Sequence, residues 1–274
     1  MAITMEDIKH LRALTGAGMM DVKKALQEAN GDHDKAIELI RKRGQAVAAK
    51  RSDREAAEGC VLAAVEGDFG AIVALQCETD FVAKNEDFVA LTQSILDKAM
   101  AEKPASTEEL LALPLADGRS IQDHIMDRSG VTGEKMELGS YEYVKAPHVG
   151  EYIHPGNMLA SIVGFNEAIS AEMAKEIAMQ VASMNPVAVT PNDVPEKIKE
   201  EELNIARDKA RAEGKPEELL DRIAEGSLNK YYKENTLLMQ ASILDGKKSV
   251  EEVLKGESKT LTVTEFKRVN LKQD

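Results

Sequence analysis

Tryptophan is absent from this chain, phenylalanine and tyrosine occur five times each, and cysteine only twice. With so few rings, an aromatic residue placed outside an apolar period needs its own explanation. Cys60 and Cys77 have no CxxC spacing and fall in strand-like runs, which excludes a disulfide framework and suits a reducing cytosol. They read as small apolar residues. No apolar run approaches about 18 residues, and the N-terminus, MAITMEDIKHLRALTG, carries acids and an amphipathic period instead of a basic n-region. Neither a membrane span nor a signal peptide is expected, so the expected location is cytoplasmic. Positive charge is also short: 35 Lys and Arg stand against 48 Asp and Glu, a net charge of −13. That balance argues against a broad grip on a phosphate backbone, and no direct nucleic-acid or membrane partner is expected.

Catalytic motifs are missing too. DGKKS lacks the upstream glycine of a phosphate-binding loop, and TGAGMM lacks the third glycine of G-x-G-x-x-G. The five histidines form no HExxH, no Cys/His set has zinc spacing, and there is no G-x-S-x-G elbow. The chain is therefore expected to have no covalent chemistry, metal or nucleotide cofactor of its own. A binding protein is the default.

At 274 residues the chain suggests two or three modules, taking about 100–200 residues per domain. Thr4 is a plausible N-cap for a helix with Met5, Ile8, Leu11 and Leu14 on one face. TGAG breaks it. A second helix places Met19, Val22, Ala25, Leu26 and Ala29 together, and Asp32 caps a third carrying Ala36, Ile37, Leu39 and Ile40. Residues 1–44 thus form a small three-helix module, and the Gly-interrupted RKRGQAVAAKRSDREAAEG supplies a connector, part helical, over 45–58. Its basic cluster lacks interleaved aromatics, which favours a solvated linker over an RNA contact.

GCVLAAVEGDFGAIVALQC then reads as a hairpin turning at Gly67-Asp68, followed by a helix from about Glu86. Further strand signals, KMELGSYEYVKA and YIHPGNMLASIVGF, are expected to pair with each other before a helix ending near Met184. Strand, strand and helix occur twice, so the expected class is α+β with two related core subdomains, 59–133 and 134–193. Charged residues 194–235, split by EGKPEEL, predict an antiparallel helical hairpin. Ile198, Ile205, Ala206 and Ala210 would face Leu220, Ile223, Ala224, Leu228 and Tyr231 across a thin apolar seam. Residues 236–274 return to the core with a short helix and the strand KTLTVTEFKRVNL.

One stretch fits none of this easily. CETDFVAKNEDF sets an acid and a bare aromatic, Asp80-Phe81, where the pattern turns from strand to helix. From the residues alone, Phe81 could be a hydrophobic staple for the next helix and Asp80 its N-cap. LTGAGMMDVKKALQEANGDHDKAIELIRKRG and ETDFVAKNEDF, however, closely resemble two motifs of the elongation factor Ts family. The likeness continues through YIHPGNMLASIVGF, EIAMQVASMNP, GKPEEL, LLMQASILDGKKSVEEVL and TVTEFKRV, covering nearly the whole chain in family order.

That resemblance implies a guanine-nucleotide exchange factor that releases GDP from elongation factor Tu so that GTP can bind during translation. GDP, GTP and Mg²⁺ would be ligands of the partner. It further implies that residues 1–44 form a ubiquitin-associated-like docking module and that the hairpin is a coiled coil for dimerisation, compatible with a homodimer or a 2:2 complex. Thr79, Asp80, Phe81 and Val82 match the segment that disturbs the partner's magnesium. Leu11, Arg12, Gly16, Gly18, Met19 and Met20 fall in the segment near the docking face, and His154 matches a histidine that contacts the partner near its phosphate-binding loop. Each has a plainer alternative. Met19 and Met20 could plug a small core, and a lone histidine beside a strand is often structural.

Overall fold

The computed structural model describes residues 3–272. It is an α+β protein with two three-stranded antiparallel sheets. The chain opens with α1 (Met5–Thr15), α2 (Met19–Glu28) and α3 (His33–Lys50). Thr4 caps α1 in a capping box with Asp7, and Asp32 caps α3 by accepting the Lys35 N–H. Ile8, Leu11, Val22, Ala25, Leu26 and Ala36 are buried together. Met5 and Leu14 are 57% and 63% exposed. A three-residue spacing slips by about 60° per step around a 3.6-residue helix, so only the middle two of the four apolar residues of α1 face inward.

The third helix continues past Gly44 into the first part of the predicted connector and ends at Lys50. Its Gly44 costs helix propensity, but it sits directly against Gly130 of α7 (Ile121–Thr132). A Cβ on Gly130 would lie 2.1 Å from the Gly44 Cα. The two helix backbones touch there, and tertiary packing overrides the local signal to stop. Asp127 of α7 ties the crossing together, accepting from Arg119 at 2.7 Å and lying 3.8 Å from Arg41 of α3.

The first sheet has the order β1 (Glu58–Glu66), β2 (Phe69–Cys77) and β3 (Met136–Lys145). β1 and β2 meet at the two-residue turn Gly67-Asp68, with Gly67 left-handed at φ +61°. The second sheet has the order β4 (His148–Ile153), β5 (Leu159–Phe165) and β6 (Val263–Asn270). KMELGSYEYVK therefore does not pair with the strand that follows it. It closes the first sheet against β2, which extends that sheet past residue 133, and the chain crosses between sheets at Ala146-Pro147.

The sheets pack face to face, and alternation explains their continuous apolar runs. Val61, Ala63, Ile72, Ala74, Ala160 and Ile162 lie between the sheets. Cys60, Leu62, Phe69, Ala71, Val73 and Leu75 point the other way, toward α5 (Glu86–Glu102), α6 (Thr107–Ala112) and α7. On the far side, Val163 and Phe165 pack with α8 (Ala171–Met184) and α11 (Val250–Glu257). Strands covered on both faces lose the apolar/polar alternation of a half-exposed sheet. Burial of Phe88 or Phe165 contributes roughly 1.5–3 kcal/mol relative to leaving the ring in water.

The hairpin consists of α9 (Glu196–Ala212) and α10 (Leu220–Asn235). Its seam is Ala206, Ala210, Leu220 and Ala224, with Arg207–Asp221 and Arg211–Glu217 pairs at 2.8 Å along its side. Ile205, expected in the seam, is instead 60% exposed.

Candidate functional site

The segment after β2 forms α4, the four-residue helix Asp80–Ala83. Thr79 is its N-cap, with extended backbone and a hydroxyl that accepts the Val82 N–H at 3.5 Å. Asp80 is therefore the first helical residue and not the cap. Its carboxylate instead accepts from Lys84 at 2.6 Å, and this hydrogen bond holds its pKa below the usual Asp value. Asn85 caps the next helix, α5, by accepting the Asp87 N–H.

Helix phase decides which way α4 points. Ala83 is buried and Val82 half-buried against the first core, whereas Phe81, two residues from Ala83 and so about 200° around the helix, is 85% exposed. It is not a staple for α5. An exposed phenylalanine in a chain with five is the most distinctive surface feature of this region.

The turn is braced from two sides. Glu134, in the loop after α7, accepts the N–H groups of Glu78 and Thr79 at 3.2 and 3.1 Å and the Thr79 hydroxyl at 2.7 Å. Glu78 in return accepts the Lys135 N–H at 2.6 Å and the Arg51 guanidinium at 2.9 and 3.0 Å. The Lys135 N–H, and then Arg51, hold the Glu78 carboxyl below its ordinary pKa. Beneath the turn, Cys77 is pushed up to about 12 by burial and then by the charge of Glu134. This thiol stays protonated and inert. Nothing local in the sequence marked Glu134 or Arg51, because both reach the site only through the tertiary fold.

His154 begins the exposed turn between β4 and β5, where its Nδ1 lies 3.1 Å from the Tyr152 hydroxyl. The same turn is docked on the first sheet through a Val61 N–H to Asn157 O bond at 2.7 Å. α4 also packs on β1, so the Phe81 helix and the His154 turn border one strand. In the N-terminal module, Arg12, Gly16, Gly18, Met19 and Met20 are all exposed, and Gly16 closes α1 as a left-handed cap donating to Arg12 O at 2.8 Å. The two methionines are surface residues, 47% and 64% exposed, and plug no core. Leu11, by contrast, is fully buried among Ile8, Val22 and Leu26. It presents no surface.

Among the described residues no cluster of His, Cys, Asp or Glu is arranged to hold a metal ion, and no helix is long and apolar enough to cross a membrane. An exposed apolar ring thus stands on a braced turn, and two exposed methionines open α2. The model of the elongation factor Ts family matches residues 78–273. Over the full length of both chains, the sequence is 64% identical to elongation factor Ts of Porphyromonas gingivalis and 54% identical to that of Azobacteroides pseudotrichonymphae. It is 45% identical to that of Phocaeicola vulgatus over 331 aligned positions, again spanning both chains. The chain belongs to the elongation factor Ts family, a family of translation elongation factors of the nucleotide-exchange class.

Proposed function

We infer that this chain binds elongation factor Tu carrying GDP and speeds release of the nucleotide by disturbing the partner's Mg²⁺ and phosphate site through α4. The observation that carries this is the pose of Phe81, almost fully exposed on a helix whose other apolar face is anchored in the core. A nucleoside diphosphate is held by phosphate contacts and by Mg²⁺, whose charge stabilises the phosphate oxygens. A rigid ring inserted between partner side chains shifts the segment that carries those contacts. Asp80 adds a negative charge that exchanges its Lys84 partner for groups of the other protein. Neither residue makes or breaks a covalent bond, and the chain needs no cofactor of its own.

Arg12, Gly16, Gly18, Met19 and Met20 supply a second contact, and the exposed His154 turn a third, nearer the phosphates. The coupling is reciprocal. Whatever factor this protein imposes on GDP affinity, GDP imposes on the affinity for this protein, so the ternary complex is transient. The protein lowers the exit barrier without changing the equilibrium between the partner's GDP and GTP forms. The hairpin presents Ile205 and Leu219, 60% and 42% exposed, as apolar contacts for pairing with a second copy. Sedimentation of Ile205→Glu against the parent tests this, with loss of a dimer expected.

Stopped-flow release of a fluorescent GDP analogue from elongation factor Tu, chased with excess GDP, tests the central function. The parent is expected to accelerate release, and a folded Phe81→Ala variant to do so at least about tenfold less. No acceleration by the parent would refute the exchange function for this chain. Equal acceleration by both would remove Phe81 from it.

A further inference from the structure

The end of β2 and the loop after α7 are joined by two glutamates, Glu134 accepting from the backbone of Glu78 and Thr79, and Glu78 from the backbone of Lys135. Glu134 takes three donors, from Glu78 N, Thr79 N and the Thr79 hydroxyl, and Glu78 takes Lys135 N and Arg51. Each carboxylate is held in place by the donors that surround it.

The Thr79 hydroxyl is the critical member. Its single proton is committed to Glu134, which leaves an oxygen lone pair directed to the Val82 N–H. Glu134 thereby selects the rotamer in which Thr79 caps α4. A helix of four residues has almost no stability of its own, because nucleation costs more than so few bonds return. Without its cap, α4 would fray, and the ring of Phe81 would lose its direction.

We propose that Glu134 is the positioning residue of the exchange segment, acting through Thr79 to hold α4 and aim Phe81. It is distinct from the contact residues because its carboxylate is spent on the chain's own groups, two backbone N–H and the Thr79 hydroxyl. The inference rests on the exchange function above, but its geometric half can be read without any partner.

The chain has no tryptophan, so Phe81→Trp introduces a single indole at the exposed position. Time-resolved anisotropy of that indole is compared with and without Glu134→Gln, which replaces one accepting oxygen with a donor. Release of fluorescent GDP is measured in the Phe81 background with Glu134→Gln alone. Expected are added fast depolarisation of the indole and a maximal release rate lower by about tenfold, with the half-saturating concentration moved by less than about threefold. A merely structural residue would lower the folded fraction and leave the rate per folded molecule alone.

An indole equally immobile in both backgrounds overturns the proposal, whether or not release slows, and so does unchanged release by Glu134→Gln. If the parent itself fails to accelerate release, the exchange function falls while the anisotropy comparison still decides the role of Glu134. Should Glu134→Gln fail to fold by circular dichroism, Thr79→Val takes its place, removing the same hydroxyl with little change of shape. Depolarisation as slow as the parent's in Thr79→Val then overturns the proposal.

Discussion

Phe81 and Phe88 stand seven residues apart, both in the first turn or so of a helix, yet one is 85% exposed and the other 0%. Hydrophobicity cannot separate them, since the side chains are identical. The difference is helix phase, and phase is set by two caps. Thr79 starts α4 so that Val82 and Ala83 turn inward and Phe81 outward, and Asn85 restarts the chain as α5 with Phe88, Ile95 and Leu96 against the first sheet. A single continuous helix from residue 80 would have allowed no such independent choice. The short, separately capped helix permits an apolar ring to stay in water beside a well-formed core.

The sharpest way to break this comparison is to truncate both rings. Phe88→Ala removes a fully buried ring from the main core and is expected to cost about 3–5 kcal/mol in denaturant unfolding. Phe81→Ala is expected to stay within about 0.5 kcal/mol of the parent, as surface substitutions do. Comparable losses would mean that Phe81 packs on something in solution and that its exposure is not the resting state.

The same contrast separates what could be read from the residues from what could not. Thr4, Asp32 and Gly67-Asp68 act within four residues of themselves, and the expected caps and turn stand where those residues lie. How far α3 continues past Gly44 was hidden because glycine is a breaker by propensity and its compensating partner, Gly130, is remote in sequence. Pairing of β3 with β2 was hidden because helices α4 to α7 separate them, while the nearer strand β4 offered an equally plausible alternation. At the site, the motif TDFV was visible, but Asp is as good a cap as Thr, and only the backbone geometry assigns that role to Thr79. Glu134 was invisible for the same reason as β3.

Glycines in two helices extend the comparison between packed and open surroundings. At Gly130, in α7, an added Cβ would meet backbone of α3 at 2.1 Å; at Gly226, in α10, it would meet nothing within 4 Å. Gly130→Ala must push the N-terminal module away from the core and is expected to cost about 2 kcal/mol, in the range of overpacked cores. Gly226→Ala is expected to stabilise by up to about 1 kcal/mol through helix propensity and a less free unfolded chain. If both alanines stabilise, the α3–α7 crossing is not the close contact described. Differential scanning calorimetry of the pair distinguishes these outcomes.

Carboxylates sharpen the contrast by the smallest expected effect. Asp80 stands in solvent with Lys84, and that partner lowers its pKa. Glu151, on β4, has one buried carboxylate oxygen with no hydrogen-bond partner, and burial alone raises its pKa from 4.5 to about 7. Between those two values the folded state binds more protons than the unfolded state, so the contribution of Glu151 to stability is complete below about pH 4.5 and is lost as pH rises through about 7. Glu151→Gln, an uncharged group of the same shape, should therefore match the parent near pH 4.5 and exceed it near pH 8. The gain there should be about 1 kcal/mol, less than the full shift implies because solvent reaching part of the side chain screens the charge. The diagnostic is the dependence on pH: an equal difference in melting temperature at both ends of the range would show that Gln changes packing alone and that Glu151 is charged at no cost in the folded protein.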